Sequence, residues 1–78
     1  MDTRQIKEHM EVIGADGVHV GVIDRVEADR IKLAKKDKHG EHDRHRYLPL
    51  SLAADIENDR LRLSANGAVA VEMFEFDA

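Results

Sequence analysis

The stretch "VIGADGVHVGVIDRVEADRIKL" (residues 12–33) carries one simple pattern. Apolar side chains occupy every second position, first at Val18, Val20 and Val22 and again at Ile31 and Leu33, with polar residues or glycine between them. A period of two places successive side chains on opposite faces of a β-strand. The stretch therefore predicts antiparallel strands that have one face against a core and the other in water.

The residues GADG, at positions 14–17, interrupt this pattern. Asp-Gly between two apolar runs is typical of a hairpin turn, because these residues tolerate a positive φ. We therefore expect a first hairpin in which residues 10–13 pair with residues 18–26. The apolar positions change phase after Val22, which predicts a bulge or bend near Gly21.

The segment VEADRIKLA (residues 26–34) has an echo thirty positions later, IENDRLRLS (residues 56–64). Two copies are too few for a solenoid, which needs at least three stacked units. The echo instead predicts two equivalent hairpins, with turns at Ala28-Asp29 and Asn58-Asp59, where Asp and Asn tolerate a left-handed backbone. In an alternative reading, the charged residues of the turns form paired binding sites: Asp29, Arg30, Asp59 and Arg60.

The C-terminal segment SANGAVAVEMFEFDA (residues 64–78) fits two structures. Ser64 is a residue type that caps helices, and the apolar spacing suits a short helix. Val69 and Val71 also alternate as in a strand, and Gly67 weakens the helical pattern. We expect a short helix or strand that closes one end of the fold, where the two phenylalanines either cover the chain's own core or offer a surface for self-association.

Together these patterns predict an all-β fold: a small curved antiparallel sheet or β-barrel, with a possible short C-terminal helix. Residues 1–78 are expected to form a single domain, with residues 1–9 as a flexible or edge N-terminus and residues 65–78 as a tail or helix. The predicted core consists of Val12, Val18, Val20, Val22, Ile31, Leu33, Leu48, Leu50, Ile56, Leu61 and Leu63.

Composition narrows the possible functions. A chain of 78 residues without cysteine has room for one small core and no disulfides. Its formal net charge of −4 argues against nucleic-acid binding, which needs clustered Lys and Arg. The chain lacks both the apolar segment of a secretory signal and the run of about 20 apolar residues that spans a membrane. We expect a cytoplasmic protein that acts on neither membranes nor nucleic acids.

Three histidines lie at intervals of three in KKDKHGEHDRHR (residues 35–46), namely His39, His42 and His45. Neutral imidazoles bind zinc, and three such ligands with a water molecule form a known type of site. A spacing of three does not bring these side chains together on a strand, and a solvated hairpin loop explains the same residues. A metal site or a pH-responsive loop at these histidines is therefore kept as the alternative function.

No pattern of catalytic residues is present in the sequence. Ser51 and Ser64 are the candidate nucleophiles, and neither lies in a nucleophile elbow. Asp24, Glu27 and Asp55 could supply a carboxylate pair, although nothing in the sequence brings them together. The glycines of GADGVHVG do not have the spacing of a phosphate-binding loop. We expect neither enzymatic activity nor a cofactor.

The segment from Ile6 to about Ser64 resembles domain-of-unknown-function family 2171, a family of small bacterial proteins. It is more distantly similar to the PRC-barrel superfamily, in which an Asp-Gly turn and glycine-containing strands build a short, highly curved barrel. Gly14, Gly17 and Gly21 occupy the positions that this pattern requires. The chain differs from the photosynthetic and ribosome-maturation PRC-barrels in its acidic character, and we expect it to have neither their partner domain nor their membrane helix.

The resemblance implies a fold more than an activity, since one fold serves many functions. PRC-barrels act as protein-binding or assembly modules. The sequence therefore predicts a non-enzymatic binding or adaptor module that acts through an exposed strand edge or the aromatic tail. Its partner is an unidentified protein or a second copy in a homodimer.

Overall fold

A computed structural model describes residues 3–37 and 40–76 of the chain. Within these residues the backbone is mostly strand, with one α-helix and two short 3-10 helices at Thr3–Gln5 and Leu50–Leu52. The elements in chain order are β1 (Glu11–Ile13), β2 (His19–Glu27), β3 (Arg30–Leu33), β4 (Lys36–Asp37), β5 (Gly40–Glu41), β6 (Arg46–Pro49), β7 (Ala53–Glu57), β8 (Arg60–Leu63), α1 (Gly67–Glu72) and β9 (Glu75–Phe76).

Seven strands form one sheet in the order β7-β8-β1-β2-β3-β6-β9, while β4 pairs only with β5. The all-β prediction is confirmed. The edge strands β7 and β9 do not pair with each other within the described residues, so the sheet is open and no closed barrel is formed. One neighbouring pair is parallel, because β1 lies beside β8 with Val12 opposite Leu61. The prediction of a purely antiparallel sheet is therefore wrong at this pair.

The first hairpin forms where the Asp-Gly turn predicts it. The amide of Gly17 donates to the Gly14 carbonyl at 2.9 Å, and the amide of Gly14 donates to the Val18 carbonyl at 2.8 Å. Gly17 has a φ of 82°, which a residue without a side chain adopts at no steric cost. The predicted bulge also forms, since the pairing slips between the Val12–Gly21 and Ile13–His19 partners.

The two echoed segments form equivalent hairpins. Glu27 pairs with Arg30 in the first hairpin, and Glu57 pairs with Arg60 in the second. Every further pair is displaced by the same thirty residues, and the irregularity between Ile23 and Arg25 recurs between Ala53 and Asp55. An acid at the end of the first strand also contacts a base on the second in both copies, as Glu27–Lys32 and Glu57–Arg62. The two hairpins are therefore alike in strand register and ion pairing as well as in sequence.

The core lies on one face of the sheet and differs from the predicted core at its margins. The prediction that Val18 is buried is wrong, because this residue follows the turn and is 52% exposed. The predicted residues Val22, Leu50 and Ile56 are half-buried. The remaining predicted residues are buried, and the structure adds several that the pattern does not identify: Ile6, Met10, Ile13, Ile23, Tyr47 and Ala70.

Arg46 is an unusual member of the interior, since it is only 5% exposed. Its Nη1 and Nη2 atoms donate to the carbonyls of Val20 and Ala34, at 3.4 and 3.2 Å. Its guanidinium lies over the Phe74 ring, 5.0 Å from the centroid. Gly21 lies beside it, and a Cβ at this glycine would crowd Leu33 Cδ1, at 3.0 Å, rather than the guanidinium. Arg46 thus joins β6 to β2 and to the C-terminal segment.

Helix α1 begins after Asn66, not at the predicted cap Ser64. It approaches the first hairpin closely, since a Cβ on Gly14 would lie 2.8 Å from the Gly67 Cα. The Asp16 carboxylate accepts the Gly67 amide at 3.1 Å and the Val18 amide at 3.3 Å. The hydrogen bond from Gly67, more than any other interaction, lowers the pKa of Asp16. The tail is therefore a helix held by the hairpin turn, followed by a short strand.

Among the described residues, no helix is both long and apolar enough to cross a membrane.

Candidate functional site

The structure places the histidine loop without forming a metal site in the part of the chain that it describes. His39 lies outside the described residues. His42 is exposed, and the Nδ1–H of His45 donates to the Leu33 carbonyl at 2.8 Å. Within residues 3–37 and 40–76, no three His, Asp or Glu side chains are grouped to hold a metal ion. The metal and pH-responsive alternatives remain predictions.

The structure places the candidate catalytic residues in separate parts of the fold. Ser51 is exposed and lies in the 3-10 helix Leu50–Leu52. The alternating leucines on either side of it instead suggest the solvent face of a strand. Asp24 and Glu27 both lie near Lys32, at 3.9 and 3.8 Å from its Nζ. Asp55 belongs to the other hairpin and accepts the Ile56 amide at 2.8 Å. The three carboxylates therefore do not converge on a single site.

Two histidines that lie ten positions apart in the sequence, His9 and His19, line one cleft. The cleft has a volume of about 440 Å³ and lies beside β1 and β2, with His9 and His19 in its lining. Its apolar surface comes from Val22, Ile23 and Ala34. The alternation of apolar residues does not predict this cleft, because His9 precedes β1 and reaches the cleft through a turn.

The cleft contains a close imidazole–carboxylate pair. The Nδ1–H of His19 donates to Glu11 Oε2 at 2.7 Å, and the two side chains are 22% and 28% exposed. Glu11 Oε1 also lies 4.0 Å from the Nε of Arg60, which reaches it from β8. The parallel pairing of β1 with β8 brings Arg60 to this position, since Glu11 is its register partner.

His9 has a left-handed backbone, with a φ of 69°. Its amide donates to the Ile23 carbonyl at 2.8 Å, and the Ile23 amide donates to the Met10 carbonyl at 2.9 Å. These two bonds fix the His9 backbone at the edge of the cleft. A residue with a side chain in this region of φ is strained, and such residues are frequent at functional sites.

A second candidate site is a group of exposed apolar side chains, which we call the apolar surface: Val18, Val69, Val71, Met73 and Phe76. Each is between 38% and 52% exposed. Four belong to α1 and the residues that follow it, and the fifth, Val18, lies directly against Gly67 of α1. Five large apolar residues near one six-residue helix are more than isolated surface residues, which are normal in soluble proteins.

Charges of both signs flank the apolar surface. The guanidinium of Arg44 lies over the Phe76 ring, 4.4 Å from its centroid. Glu72 at the end of α1 and Glu75 in β9 are both exposed. The surface therefore has an aromatic residue covered by a cation beside two carboxylates, and this arrangement suits a polar margin around an apolar contact.

The other edge of the sheet is strand β7. Within the described residues, β7 has a sheet neighbour on one side, β8. The Ile56 amide of β7 donates to the Asp55 carboxylate, so this backbone donor is already bonded. Charged residues that cover an edge strand prevent pairing with another chain. Docking through an exposed strand edge remains a prediction.

A family model described as "Uncharacterized protein conserved in bacteria (DUF2171)" matches residues 6–71 of the chain. No curated protein and no solved structure matches it. The matched segment includes both hairpins, the histidine cleft and most of α1.

Proposed function

We propose that this chain, which belongs to the bacterial family DUF2171, is a non-enzymatic binding module that acts by pairing with a second copy of itself. The observation that carries the proposal is the clustering of the five exposed residues of the apolar surface on and beside α1. The proposal needs no catalytic group, since it depends on the burial of apolar area between two chains.

The apolar surface supplies the driving force for this pairing. Burial of apolar area contributes about 25 cal/mol for each Å² removed from water. On a helix, Val69 and Met73 are four residues apart and share one side, while Val71 shares the other side with Gly67, which Val18 approaches. Apolar side chains thus flank the buried stripe of α1 on both sides.

The flanking charges favour a second copy as the occupant. In a two-fold dimer the same patch faces itself, so every charge needs a complement within that patch. Arg44 supplies the positive charge, and Glu72 and Glu75 supply the negative charges. A patch with one sign of charge would repel its own copy, whereas this patch can place Arg44 of one chain against a glutamate of the other.

Sedimentation equilibrium of the full chain measures the pairing. We expect a reversible dimer with a dissociation constant of about 10 to 100 μM, as suits a small interface. Val69→Lys with Val71→Lys should raise this constant at least tenfold, because two ammonium groups would be desolvated in the contact. Lysine has a higher helix propensity than valine, so the double variant keeps α1.

Ala54→Lys is the matched control, since it adds a charge at an exposed position of the opposite edge strand. It should leave the dissociation constant unchanged. A chain that remains monomeric up to about 1 mM would overturn the proposal. A dimer that Ala54→Lys disrupts and the helix variant does not would place the interface at β7 instead, and would also overturn it.

We also propose a more distant relationship of the chain to the PRC-barrel superfamily. The glycine pattern, the Asp-Gly hairpin and the curved short strands support it, and assembly through a non-catalytic surface agrees with it. An experimental structure that aligns the sheet with a PRC-barrel strand by strand would test the relationship.

A further inference from the structure

The dipeptide Asn66-Gly67, at the start of α1, contains two groups that can react with each other. The backbone nitrogen of the residue after an asparagine can attack the side-chain amide, and glycine hinders this attack least because it has no side chain. Asn66 is exposed, and its side chain makes no hydrogen bond that caps the helix. The reactive amide therefore lies at the surface, outside the hydrogen bonds of α1.

The packing of α1 requires glycine at position 67. A Cβ on Gly67 would lie 2.8 Å from the Cβ of Val18, and a Cβ on Gly14 would lie 2.3 Å from the Gly67 nitrogen. Non-bonded carbon atoms pack at about 3.5 to 4.0 Å, so a larger residue at position 67 would displace the first hairpin. The glycine that makes the dipeptide reactive is thus the residue that lets α1 contact this hairpin.

The fold holds the backbone on both sides of Asn66. The Ala15 amide donates to the Ala65 carbonyl at 2.9 Å, and the Gly67 amide donates to Asp16 Oδ1 at 3.1 Å. A carboxylate that accepts an amide proton also opposes the loss of that proton, because the nitrogen anion would form beside a second negative charge. The hydrogen bond to Asp16 therefore keeps the attacking nitrogen protonated.

The backbone conformation of Asn66 keeps the two reacting atoms apart. The attack closes a five-membered ring and needs the Gly67 nitrogen to eclipse the Asn66 Cβ, whereas the Asn66 ψ of 157° turns the nitrogen well away from that position. Rotation about ψ would separate the Asn66 carbonyl from the Ala70 amide, now 2.9 Å away, and the Gly67 amide from Asp16. The reaction therefore requires the first turn of α1 to leave the hairpin.

We propose that Asn66 is a deamidation site whose reaction is slowed by the packing of α1 on the first hairpin, with Asp16 as a positioning residue. When α1 opens, hydroxide removes the Gly67 amide proton and the nitrogen attacks Asn66 Cγ. The new C–N bond closes a succinimide, and the side-chain nitrogen takes up a proton from water and leaves as ammonia. Water then opens the ring to give aspartate or isoaspartate at position 66.

The reaction changes the attachment of α1. Both products place a new carboxylate on the residue before Gly67, whose amide already bonds to the Asp16 carboxylate. Isoaspartate also inserts a methylene into the main chain before Gly67, where the close contact with Gly14 leaves no space for one. Isoaspartate therefore releases α1 from the hairpin, and this covalent change persists when the chain is unfolded and refolded.

Peptide mapping by mass spectrometry measures the conversion of Asn66 in the full chain during incubation at mildly alkaline pH. We expect the folded chain to react about tenfold more slowly, or slower still, than the chain unfolded in guanidinium chloride, since only the open state reacts. Asp16→Ala removes the acceptor of the Gly67 amide and should accelerate the reaction of the folded chain by about threefold or more. Asp16→Ser keeps a hydroxyl acceptor and should give an intermediate rate.

Asp55→Ala is the matched control, because Asp55 also accepts a backbone amide with its carboxylate and lies in β7. It should leave the rate at Asn66 unchanged. If Asp16→Ala does not fold, the comparison of Asp16→Ser with Asp55→Ala decides. The proposal is overturned if the folded and unfolded chains react at the same rate, if the Asp16 and Asp55 variants have equal effects, or if the Asp16 variants slow the reaction. Conversion confined to Asn58 would also overturn it.

Discussion

At the scale of single residues, the two repeated turns share a left-handed first residue that carries different side chains, and only the second turn has another left-handed residue, Asp59. Ala28 has a φ of 51° at the first turn, and Asn58 has a φ of 51° at the equivalent position of the second. A left-handed conformation brings Cβ close to the following carbonyl oxygen, which costs alanine about 1 kcal/mol or more. Asparagine tolerates this conformation because its side chain bonds to the nearby backbone.

We therefore predict opposite effects for exchanging the two side chains. Ala28→Asn should raise the free energy of unfolding by about 0.5 to 1 kcal/mol, and Asn58→Ala should lower it by a similar amount. Both positions are exposed, so packing does not obscure the backbone effect. Urea unfolding with an unchanged slope measures both values. Two changes of the same sign would contradict the assigned preference of the left-handed position for asparagine.

At the scale of elements, α1 depends on the hairpin turn. A helix of six residues is not stable alone in water, because nucleation costs more than so few hydrogen bonds return. Ala70 is fully buried and Gly67 lies against Gly14, so α1 is attached through packing. The Asp16 carboxylate adds hydrogen bonds to the first amide of the helix. A change at Asp16 should therefore act on the helix and the apolar surface together.

The hydrogen bonds of Asp16 predict a pH dependence. They lower the pKa of its carboxyl in the folded state, with the Gly67 amide as the main cause. A lowered pKa means that the stabilisation is complete above the unfolded pKa, about 3.9, and is lost as the pH falls through the folded value. Asp16→Asn keeps an acceptor oxygen and removes the charge. It should be less stable than the natural chain at pH 7.

The difference in unfolding free energy between these two chains should decrease on acidification and vanish once Asp16 is protonated in the folded chain. Thermal unfolding monitored by circular dichroism between about pH 2 and 7 spans this range. Asp59→Asn is a suitable control, since Asp59 is exposed in a turn and should show no comparable trend. A difference that stays constant with pH would contradict the assigned role of the charge.

The elements that could be predicted from sequence are those whose determinants are local. The hairpins follow from turn residues and alternation over fewer than twenty positions, and the structure confirms all three. The parallel pairing of Glu11 with Arg60 joins segments far apart in the chain, and no local pattern encodes it. The same pairing builds part of the cleft, so the sequence predicted neither. Val18 was misplaced because alternation cannot tell a strand residue from one beside a bulge.

At the scale of the whole molecule, the repeated hairpins share one core. Ile31 and Leu33 from the first hairpin lie in the same cluster as Leu61 and Leu63 from the second, and all four are fully buried. Strand β1 lies between the two hairpins and pairs with β2 on one side and β8 on the other. Neither hairpin can therefore lose its structure without exposing the apolar face of the other, and the repeat does not make two independent units.

This shared core predicts a single cooperative transition. Leu33→Ala and Leu63→Ala remove equivalent fully buried side chains, and each should lower the free energy of unfolding by about 2 to 5 kcal/mol. Domains have only about 5 to 15 kcal/mol in total, so either change is severe. Native-state hydrogen exchange should show that each variant lowers amide protection in both hairpins by the same factor, because global unfolding is the common route to exchange. If Leu63→Ala accelerated exchange only in β7 and β8, the hairpins would unfold separately. Each copy of the internal repeat would then be a separate unfolding unit, and β1 would not couple the two hairpins.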